Sequence, residues 1–508
     1  MKYSIKVTFV LLLGIMLPAA VAAPAAEVVH HDAEAIRKAG EGVRKAAPLA
    51  AAEPNRPVYH FLPEAQWIND PNGCFYADGW YHVFYQHNPY GYVWGHMHWG
   101  HARSRDNVIW ERMPVAVWPS TEKGEDHCYS GSAVRDGDGN LQLWYTSVSN
   151  VRPKDKDKGG LQWVFNGQVM LKPMDKDFIK WGKTTDDPVN KPNLPNNIDG
   201  YAWNTYIRDP AFFEADGRTF MLLGITGTPE SGGHVAPIYE AKNKGLTEWE
   251  YRGTMYDDAR DCPQMIPFTT EEGKQKWMYV LSSGAPPRYY VGTFDPDTAK
   301  FTKETAGKLD EAGNFNTISF LTDSDGRHIV YSWITGTKGK NWNNCFAIPR
   351  VLTLGADGHP VQKPVPELAK LRGKHVRVKD ITGAKVLDIK GDALEIDVVF
   401  EDIDKGDCGL RVRRSEDGTR ALEIRCRNNV VNIFGTHVRI EPEGERNTLR
   451  LQVFLDKTIM EVFVNGGRKT ATRVMHPPYP PVDDLGIEVL TDGKASADVW
   501  QLKSIWTK

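Results

Sequence analysis

Three short motifs place an aspartate directly before a proline or one residue away from it. Proline fixes its own φ and favours an extended conformation in the preceding residue, so a rigid backbone presents the carboxylate. A carboxylate held in this way can act as a nucleophile or as a general acid or base. The competing interpretation is a surface turn, because these residue types are common in turns. The motifs are Asn69-Asp70-Pro71, Arg208-Asp209-Pro210 and Arg260-Asp261-Cys262-Pro263.

The first motif lies in a longer stretch that, taken alone, fits a site and a surface turn equally well. Trp67 and Ile68 lead into it, and Asn72-Gly73 is typical of a tight turn after it. This predicts a carboxylate near a strand end, with Asn69 as a hydrogen-bonding neighbour and Trp67 as an apolar wall.

The elements that must position these acids are short strands, each of which follows a Gly or polar turn. They recur about every 60 residues with no long amphipathic helix between them, as β-propeller blades do. We therefore predict an all-β chain with a five-bladed propeller over residues 56–362 and a site at its axial mouth. A pair of β-sandwiches is the alternative. The strands are Gly79–Tyr85, Leu141–Thr146, Thr219–Gly224, Lys276–Leu281 and His328–Trp333.

A second domain is predicted after a linker at residues 363–385. Ala393–Phe400 and Leu449–Leu455 alternate apolar and polar residues, which indicates a C-terminal β-sandwich over residues 386–508. Cys408 and Cys426 are symmetric about a predicted hairpin turn, so they would face each other on paired strands. Two interpretations remain open for this pair, a disulfide and two buried thiols.

The N-terminus has the features of a cleaved signal peptide over residues 1–23. Lys2 and Lys6 precede an apolar stretch, and Ala20-Val21-Ala22 offers small residues for cleavage. The alternative is an uncleaved membrane anchor. No later stretch approaches the ~20 apolar residues of a membrane span. We expect a secreted or periplasmic protein with no membrane segment in its mature form, and a linker or poorly packed arm at residues 24–55.

The composition of the chain limits the classes of ligand that we expect it to bind. The net charge is −3 and no basic run occurs, so nucleic-acid binding is not indicated. Aromatic residues make up 11% of the chain and include 16 Trp, which indicates a carbohydrate ligand; the alternative is that all 16 are core or structural residues. His96, His98 and His101 lack accompanying acidic or Cys ligands. No metal and no cofactor are predicted.

Further motifs give the chain a specific resemblance to glycoside hydrolase family 32, which includes invertases, levanases and inulinases. The resemblance extends from about residue 56 to residue 508. That family combines a five-bladed propeller with a β-sandwich, in agreement with the strand pattern. The matching stretches are Trp67–Gly73, Tyr85–Pro89, Trp94-Gly95, His98–His101, Tyr129–Ala133, Arg208–Pro210 and Glu461–Asn465.

The resemblance implies a retaining attack on a fructofuranoside. Asp70 would be the nucleophile, Asp209 the transition-state stabiliser and Asp261 the acid/base. We expect the charge of Arg208 to keep Asp209 ionised. The resemblance implies a fructose pocket lined by Asn69, Gln86, Trp94, Tyr129 and Ser130, and Trp67, Trp99 and Trp118 would add stacking surface.

Two positions depart from the family pattern. The family usually has Glu where Asp261 stands, and the shorter side chain would withdraw the carboxyl by ~1 Å, a displacement that can cost about 10²-fold in rate. Either the backbone approaches more closely, or catalysis is slow, or the acid serves another linkage. The second departure lies in residues 309–316, where Ala312 and Asn314 replace an aromatic and an acidic residue.

The predicted function is hydrolysis of β-fructofuranosidic bonds in sucrose or fructans, through a covalent fructosyl-enzyme, by an exported enzyme. Two alternatives remain. One is a fructosyltransferase, which would share the same pocket. The other is a non-catalytic fructan-binding protein in which Asp261 no longer serves as acid/base.

Overall fold

The structure is a computed structural model that describes residues 1, 29–151, 162–184, 197–198, 201–202, 207–225, 235–282, 285–475 and 481–506. Five blades form a propeller, and a second β-domain follows. This confirms the predicted all-β class and the five-bladed propeller followed by a β-sandwich. The predicted signal peptide, apart from Met1, lies outside the described residues. None of the helices in the part of the chain that the structure describes has the length and apolar character needed to cross a bilayer.

Each blade is an antiparallel sheet, and each of the five predicted strands is the second strand of one blade. Blade I contains β1 (Gln66–Ala77), β2 (Trp80–Asn88), β3 (His98–Ser104) and β4 (Trp110–Val117). Blade II contains β5 (His127–Arg135), β6 (Leu141–Val151), β7 (Gln162–Pro173) and β8 (Trp181–Lys183). A small ribbon of β9 (Asn197–Ile198) and β10 (Tyr201–Ala202) follows. Blade III contains β11 (Ile207–Ala215), β12 (Arg218–Ile225), β13 (Pro237–Ala241) and β14 (Trp249–Thr254).

Blades IV and V complete the ring. Blade IV contains β15 (Gln264–Thr269), β16 (Gln275–Leu281), β17 (Arg288–Asp295) and β18 (Lys300–Lys308). Blade V contains β19 (Phe315–Thr322), β20 (His328–Ile334), the short β21 (Trp342–Asn343) and β22 (Cys345–Phe346), then β23 (Arg350–Leu354) and β24 (Pro360–Pro364). β21 leaves blade V and pairs in parallel with the start of β1, so the last blade is hydrogen-bonded to the first.

Aromatic side chains fill the space between neighbouring blades. Trp144 of blade II packs on Phe212 of blade III with ring centroids 5.7 Å apart, and Phe213 packs on Trp277 of blade IV at 5.2 Å. Such pairs contribute about 0.5–1.5 kcal/mol beyond the area they bury. Part of the high Trp content is therefore structural. Trp99 and Trp118 are fully buried, so the prediction that they offer stacking surface to a ligand is wrong.

Two segments that we expected to be connectors contain regular structure. In residues 24–55, α1 (Ala33–Ala51) begins at the Asp32 N-cap and buries three alanines, which lets its backbone lie close to the propeller. Residues 363–385 contain a 3₁₀ helix (Pro366–Leu371) and most of β25 (Arg372–Val386), which pairs with the last strand of the second domain.

The second domain is one sheet folded over a single apolar core. Its last strand has 17 residues and pairs with β27 through its first part and with β26 through its second, so it runs through both layers. The remaining strands are β26 (Ala393–Glu401), β27 (Cys408–Arg414), β28 (Leu422–Arg427), β29 (Val430–Ile433), β30 (Thr436–Arg439), β31 (Leu449–Asp456), β32 (Ile459–Val464), β33 (Lys469–Val474) and β34 (Gly486–Leu502).

Cys408 and Cys426 lie directly opposite each other on β27 and β28, as the hairpin symmetry predicts. Both are free and buried in the structure. Of the two interpretations, the structure therefore has the pair of buried thiols.

A buried ionic network joins the propeller to the second domain. Both ring nitrogens of His60 lie 2.9 Å from carboxylate oxygens, Nδ1 from Asp456 and Nε2 from Glu461. Arg350 of blade V also pairs with Glu461 and donates to Thr472 at 2.9 Å. An ionised carboxylate only accepts hydrogen bonds, so both nitrogens of His60 must carry protons. The two carboxylates raise the pKa of His60 to about 9, although burial opposes the shift.

The first prediction concerns the pH dependence of this interface. Because the folded-state pKa of His60 lies above its ordinary value of 6.5, its stabilisation is complete below about pH 6.5 and is lost as the pH rises through about 9. The shift corresponds to about 3 kcal/mol. In urea unfolding, we expect His60→Gln to destabilise the protein at pH 6 and the difference from wild type to shrink by pH 9.

His375→Gln is the matched control, because His375 is exposed on β25 and pairs with Asp498 on the surface. Its difference from wild type should change little over the same range. A His60→Gln difference that is constant with pH would contradict a charged imidazole at the interface.

Candidate active site

The first strands of four blades each contain a β-bulge at a corresponding position near the start of the strand. These strands are neighbours around the propeller axis. The pairing register shifts between Ile68 and Pro71 in β1, and equivalent shifts occur in β5, β11 and β19. A bulge leaves residues out of the ladder and re-aims their side chains. The residues released in this way are Asn69-Asp70, Tyr129-Ser130, Asp209-Pro210 and Asn316-Thr317.

Asp70 lies half-buried in the bulge of β1 and receives hydrogen bonds from neighbouring blades. Ser130 Oγ of blade II donates to Asp70 Oδ2 at 2.6 Å, and Gln86 Nε2 donates to Ser130 Oγ at 2.7 Å. Burial raises the pKa of Asp70 above its ordinary value, and hydrogen bonds from Ser130, Asn69 and Thr317 oppose that rise. The carboxylate is thus partly desolvated and fixed in direction, which are useful properties in a nucleophile.

Asp209 is buried and held by its backbone as well as by its side chain. Its φ of 61° is left-handed, and its backbone N–H donates to Thr146 Oγ1 at 2.8 Å. The Cys262 N–H donates to Asp209 Oδ2 at 3.1 Å, and Arg208 Nε lies 3.4 Å from the same oxygen. Burial raises the pKa of Asp209 to about 7 and exceeds the lowering by Arg208. Arg208 alone therefore does not keep Asp209 ionised below neutral pH, contrary to our expectation.

Asp261 comes from the turn before β15 in blade IV and is more exposed than Asp209. Its side chain is 31% exposed, compared with 4% for Asp209, and Arg208 Nη2 forms an ion pair with it. The Arg260–Asp261 backbone packs against Gly224, where an added Cβ would lie 2.6 Å from the Arg260 carbonyl oxygen. The absence of a side chain at Gly224 therefore allows this backbone to approach blade III closely.

An aromatic wall borders the acids. Trp94 is 38% exposed and meets Tyr129 edge-on with ring centroids 5.9 Å apart. Tyr129 in turn meets Phe165 at 5.8 Å, and the Arg208 guanidinium lies 5.5 Å from the Phe165 ring centroid. The site therefore has an apolar aromatic side and a polar carboxylate side, an arrangement that suits a ligand ring with one apolar and one polar side.

The structure brings the predicted site residues together through direct contacts. Trp67, Asn69, Gln86, Ser130 and Asp70 form one chain of hydrogen bonds. Trp67 makes its polar contact with Asn69 Oδ1 at 2.7 Å, so its indole N–H is directed into the protein. Trp94 and Tyr129 lie in the aromatic wall, and Arg208 bridges Asp209 and Asp261.

Three contacts were missed in the sequence. The Cys262 thiol lies 3.6 Å from Asp70 Oδ2, Thr317 contributes a hydrogen bond to Asp70, and Thr146 holds the Asp209 backbone. Cys262 follows Asp261, so its closeness to the site was a usable signal. Thr317 occupies in blade V the strand position that Asp70 occupies in blade I, which only the pairing register reveals.

Other candidate residues have structural partners. Ala312 is buried against the core of the second domain, and Asn314 Oδ1 accepts the Val474 N–H at 3.0 Å, so this departure from the family pattern lies at the domain interface. His101 lies inside blade I, with Nε2 3.0 Å from Nδ1 of His82. No cluster of three or more His, Cys, Asp or Glu side chains suited to a metal occurs among the described residues.

Comparison with known proteins agrees with this architecture. Models described as the glycosyl hydrolases family 32 N-terminal domain and C terminal match residues 60–364 and 367–506. A levanase of Bacillus subtilis (strain 168) is 30% identical over 89% of this chain and 71% of its own length. A sucrose-6-phosphate hydrolase of the same organism is 28% identical over 93% and 99%. In fold, the chain resembles an exo-inulinase from Aspergillus awamori with a TM-score of 0.76, 24% identity, and coverage of 90% of this chain and 99% of that one.

Proposed function

Because the chain belongs to glycosyl hydrolases family 32 and is a glycosidase, we propose that it is an exported, retaining enzyme that cleaves β-fructofuranosidic bonds in sucrose or fructans. The observation that carries this proposal is a pair of acids in unlike surroundings. Asp70 is fixed by the Ser130 hydroxyl, whereas Asp261, whose side chain is 31% exposed, forms an ion pair with Arg208. A retaining mechanism requires a fixed nucleophile and an acid that exchanges its proton with water.

In the first step, an Asp70 oxygen bonds to the anomeric carbon of the fructosyl unit while the bond to the leaving-group oxygen breaks. Asp261 donates its proton to that oxygen. In the second step, Asp261 accepts a proton from water as the water oxygen attacks the same carbon and Asp70 is released. Asp209, when ionised, accepts hydrogen bonds from fructose hydroxyls, and Arg208 compensates part of the charge of both neighbouring acids.

The substrate class is supported by the relatives, which include a levanase and a sucrose-6-phosphate hydrolase. Between these, the N-terminal sequence favours non-phosphorylated substrates, because a protein exported from the cell meets sucrose and fructans rather than cytoplasmic sugar phosphates.

The test of this function is release of free fructose from sucrose, inulin and levan. We expect the wild-type protein to release fructose and Asp70→Asn to lose at least about 10³-fold in kcat, because the nucleophile is gone while its shape is kept. Asp257→Asn, in the turn before Asp261, is the control and should keep its activity. Transfer of fructose to a second sugar without net release would favour the fructosyltransferase, and tight binding without turnover would contradict an enzyme.

A further prediction addresses the shorter acid. The close packing of the Asp261 backbone against Gly224, together with the Arg208 ion pair, supports a site built around aspartate. Asp261→Glu would push the carboxyl past its partner, so we expect kcat to fall by about 10²-fold. The pH dependence of fructose release would be measured for both proteins. A strong rise in kcat would instead show that aspartate is a handicap at this position and would support the binding-protein alternative for the native chain.

Export makes a separate prediction. If residues 1–23 are a signal peptide, protein recovered from outside the cytoplasm should have a mature N-terminus near Ala23 or Pro24, as measured by intact mass. A protein that retains Met1 and the apolar stretch would contradict cleavage.

A further inference from the structure

A continuous chain of side-chain hydrogen bonds ends on Asp70. Trp67 Nε1 is 2.7 Å from Asn69 Oδ1, and Asn69 Nδ2 is 3.1 Å from Gln86 Oε1. Gln86 Nε2 is 2.7 Å from Ser130 Oγ, and Ser130 Oγ is 2.6 Å from Asp70 Oδ2. The chain starts and ends within β1 but passes through β2 and β5, so it crosses from blade I to blade II and back.

The chemistry of the first group fixes the direction of every bond. An indole N–H donates and cannot accept, so Trp67 requires the oxygen of the Asn69 amide to face it. The Asn69 NH₂ group must then face Gln86, whose oxygen accepts and whose NH₂ group faces Ser130. Ser130 accepts from Gln86 and therefore uses its own proton on Asp70. All four donors point the same way, toward the carboxylate, and hydrogen bonds aligned in this way strengthen one another.

We propose that Trp67 is a positioning residue which, through Asn69 and Gln86, orients the Ser130 hydroxyl as a donor to Asp70. Without the indole N–H, only the direct donation from Asn69 to Asp70 still favours the native orientation of the two amides. In the fraction of molecules in which both amides reverse, the Ser130 hydroxyl rotates to donate to a Gln86 oxygen and Asp70 loses its closest donor. The sequence predicts that Trp67 forms an apolar wall, whereas in this proposal its indole N–H orients the hydrogen bonds that lead to Asp70. The inference rests on the proposed function only for the role of Asp70 as nucleophile.

The experiment measures ionisation of Asp70 directly, so that its result does not depend on turnover. The Asp70 carboxylate attacks a ring carbon of 1,2-epoxypropane, the ring opens and its oxygen takes a proton from water, which leaves a hydroxypropyl ester. Peptide mass spectrometry quantifies that ester as a function of pH. Because only the ionised acid reacts, the midpoint gives the apparent pKa of Asp70 in each variant. Fructose release would be measured in parallel.

We expect Ser130→Ala to raise the midpoint by about one to two pH units, since a charge-assisted donor is removed. Trp67→Phe should raise it by about 0.3–0.5 unit, as expected when the Ser130 donor is lost in only part of the molecules. In the Ser130→Ala background, the shift caused by Trp67→Phe should be smaller, because only the direct donation from Asn69 is then left to lose. The acidic limb of the activity profile should move in the same direction.

Trp333→Phe is the matched control. Its ring packs on Trp67 with centroids 6.3 Å apart, but its indole N–H has no hydrogen-bond partner among the described residues. It removes the same chemical group from the same neighbourhood and should leave the midpoint unchanged. If Trp67→Phe fails to fold, Gln86→Leu breaks the chain at its centre and should give at least the same upward shift.

Three results would overturn the proposal. They are an unchanged midpoint in Trp67→Phe, a Trp67→Phe shift that is undiminished in the Ser130→Ala background, and an equal shift in Trp333→Phe. Failure of the proposed function is separate from these outcomes, because absence of fructose release from wild type leaves the esterification midpoints measurable.

Discussion

Mutual repulsion of three neighbouring carboxylates is the constraint on which the candidate site depends. Asp261 raises the pKa of Asp70, and both raise the pKa of Asp209, in addition to the effect of burial. Arg208 contacts two of the acids, and the third is served by neutral donors from three blades. The result is three acids in unlike environments, an arrangement in which each is able to take a different role. The propeller fold makes this possible because its first strands converge from separate parts of the chain.

The β-bulges in the converging first strands direct their side chains toward one site. A regular strand alternates its side chains between two faces that are both covered by neighbouring blades, so it would bury these acids between the blades. The bulges at Asn69-Asp70 and Asp209-Pro210 release side chains from that alternation. Pro71 and Pro210 of the sequence motifs fit this role, since proline cannot donate to a ladder and is tolerated at bulges. The sequence signal and the structural device therefore have one physical cause.

Other features depended on information that a single sequence does not carry. The spacing of five apolar strands predicted the blades, because each blade repeats the same turn and strand pattern. Helix α1 was underestimated, since its buried face consists of alanines, which contribute little to an apolar pattern. Thr317 and Thr146 were missed because their positions follow from strand register. The partners of His60 lie about 400 residues away in the chain, and no local pattern links them.

At Asp261, the repulsion between carboxylates and the packing between blades act on the same residue. Its side chain is one methylene shorter than the glutamate that the family pattern leads one to expect, so the backbone or the partner must compensate. Because Gly224 has no Cβ, the backbone of blade IV lies close to blade III at this point. Arg208 of blade III forms an ion pair with the Asp261 carboxylate. The same guanidinium contacts Asp209, so moving Asp261 would also change the charge felt by Asp209. The departure from the family pattern is thus not an isolated loss of length. The shorter side chain of Asp261 goes together with the close packing at Gly224 and with the Arg208 guanidinium that Asp209 and Asp261 share. A longer side chain at this position would have to displace the packed backbone and the guanidinium.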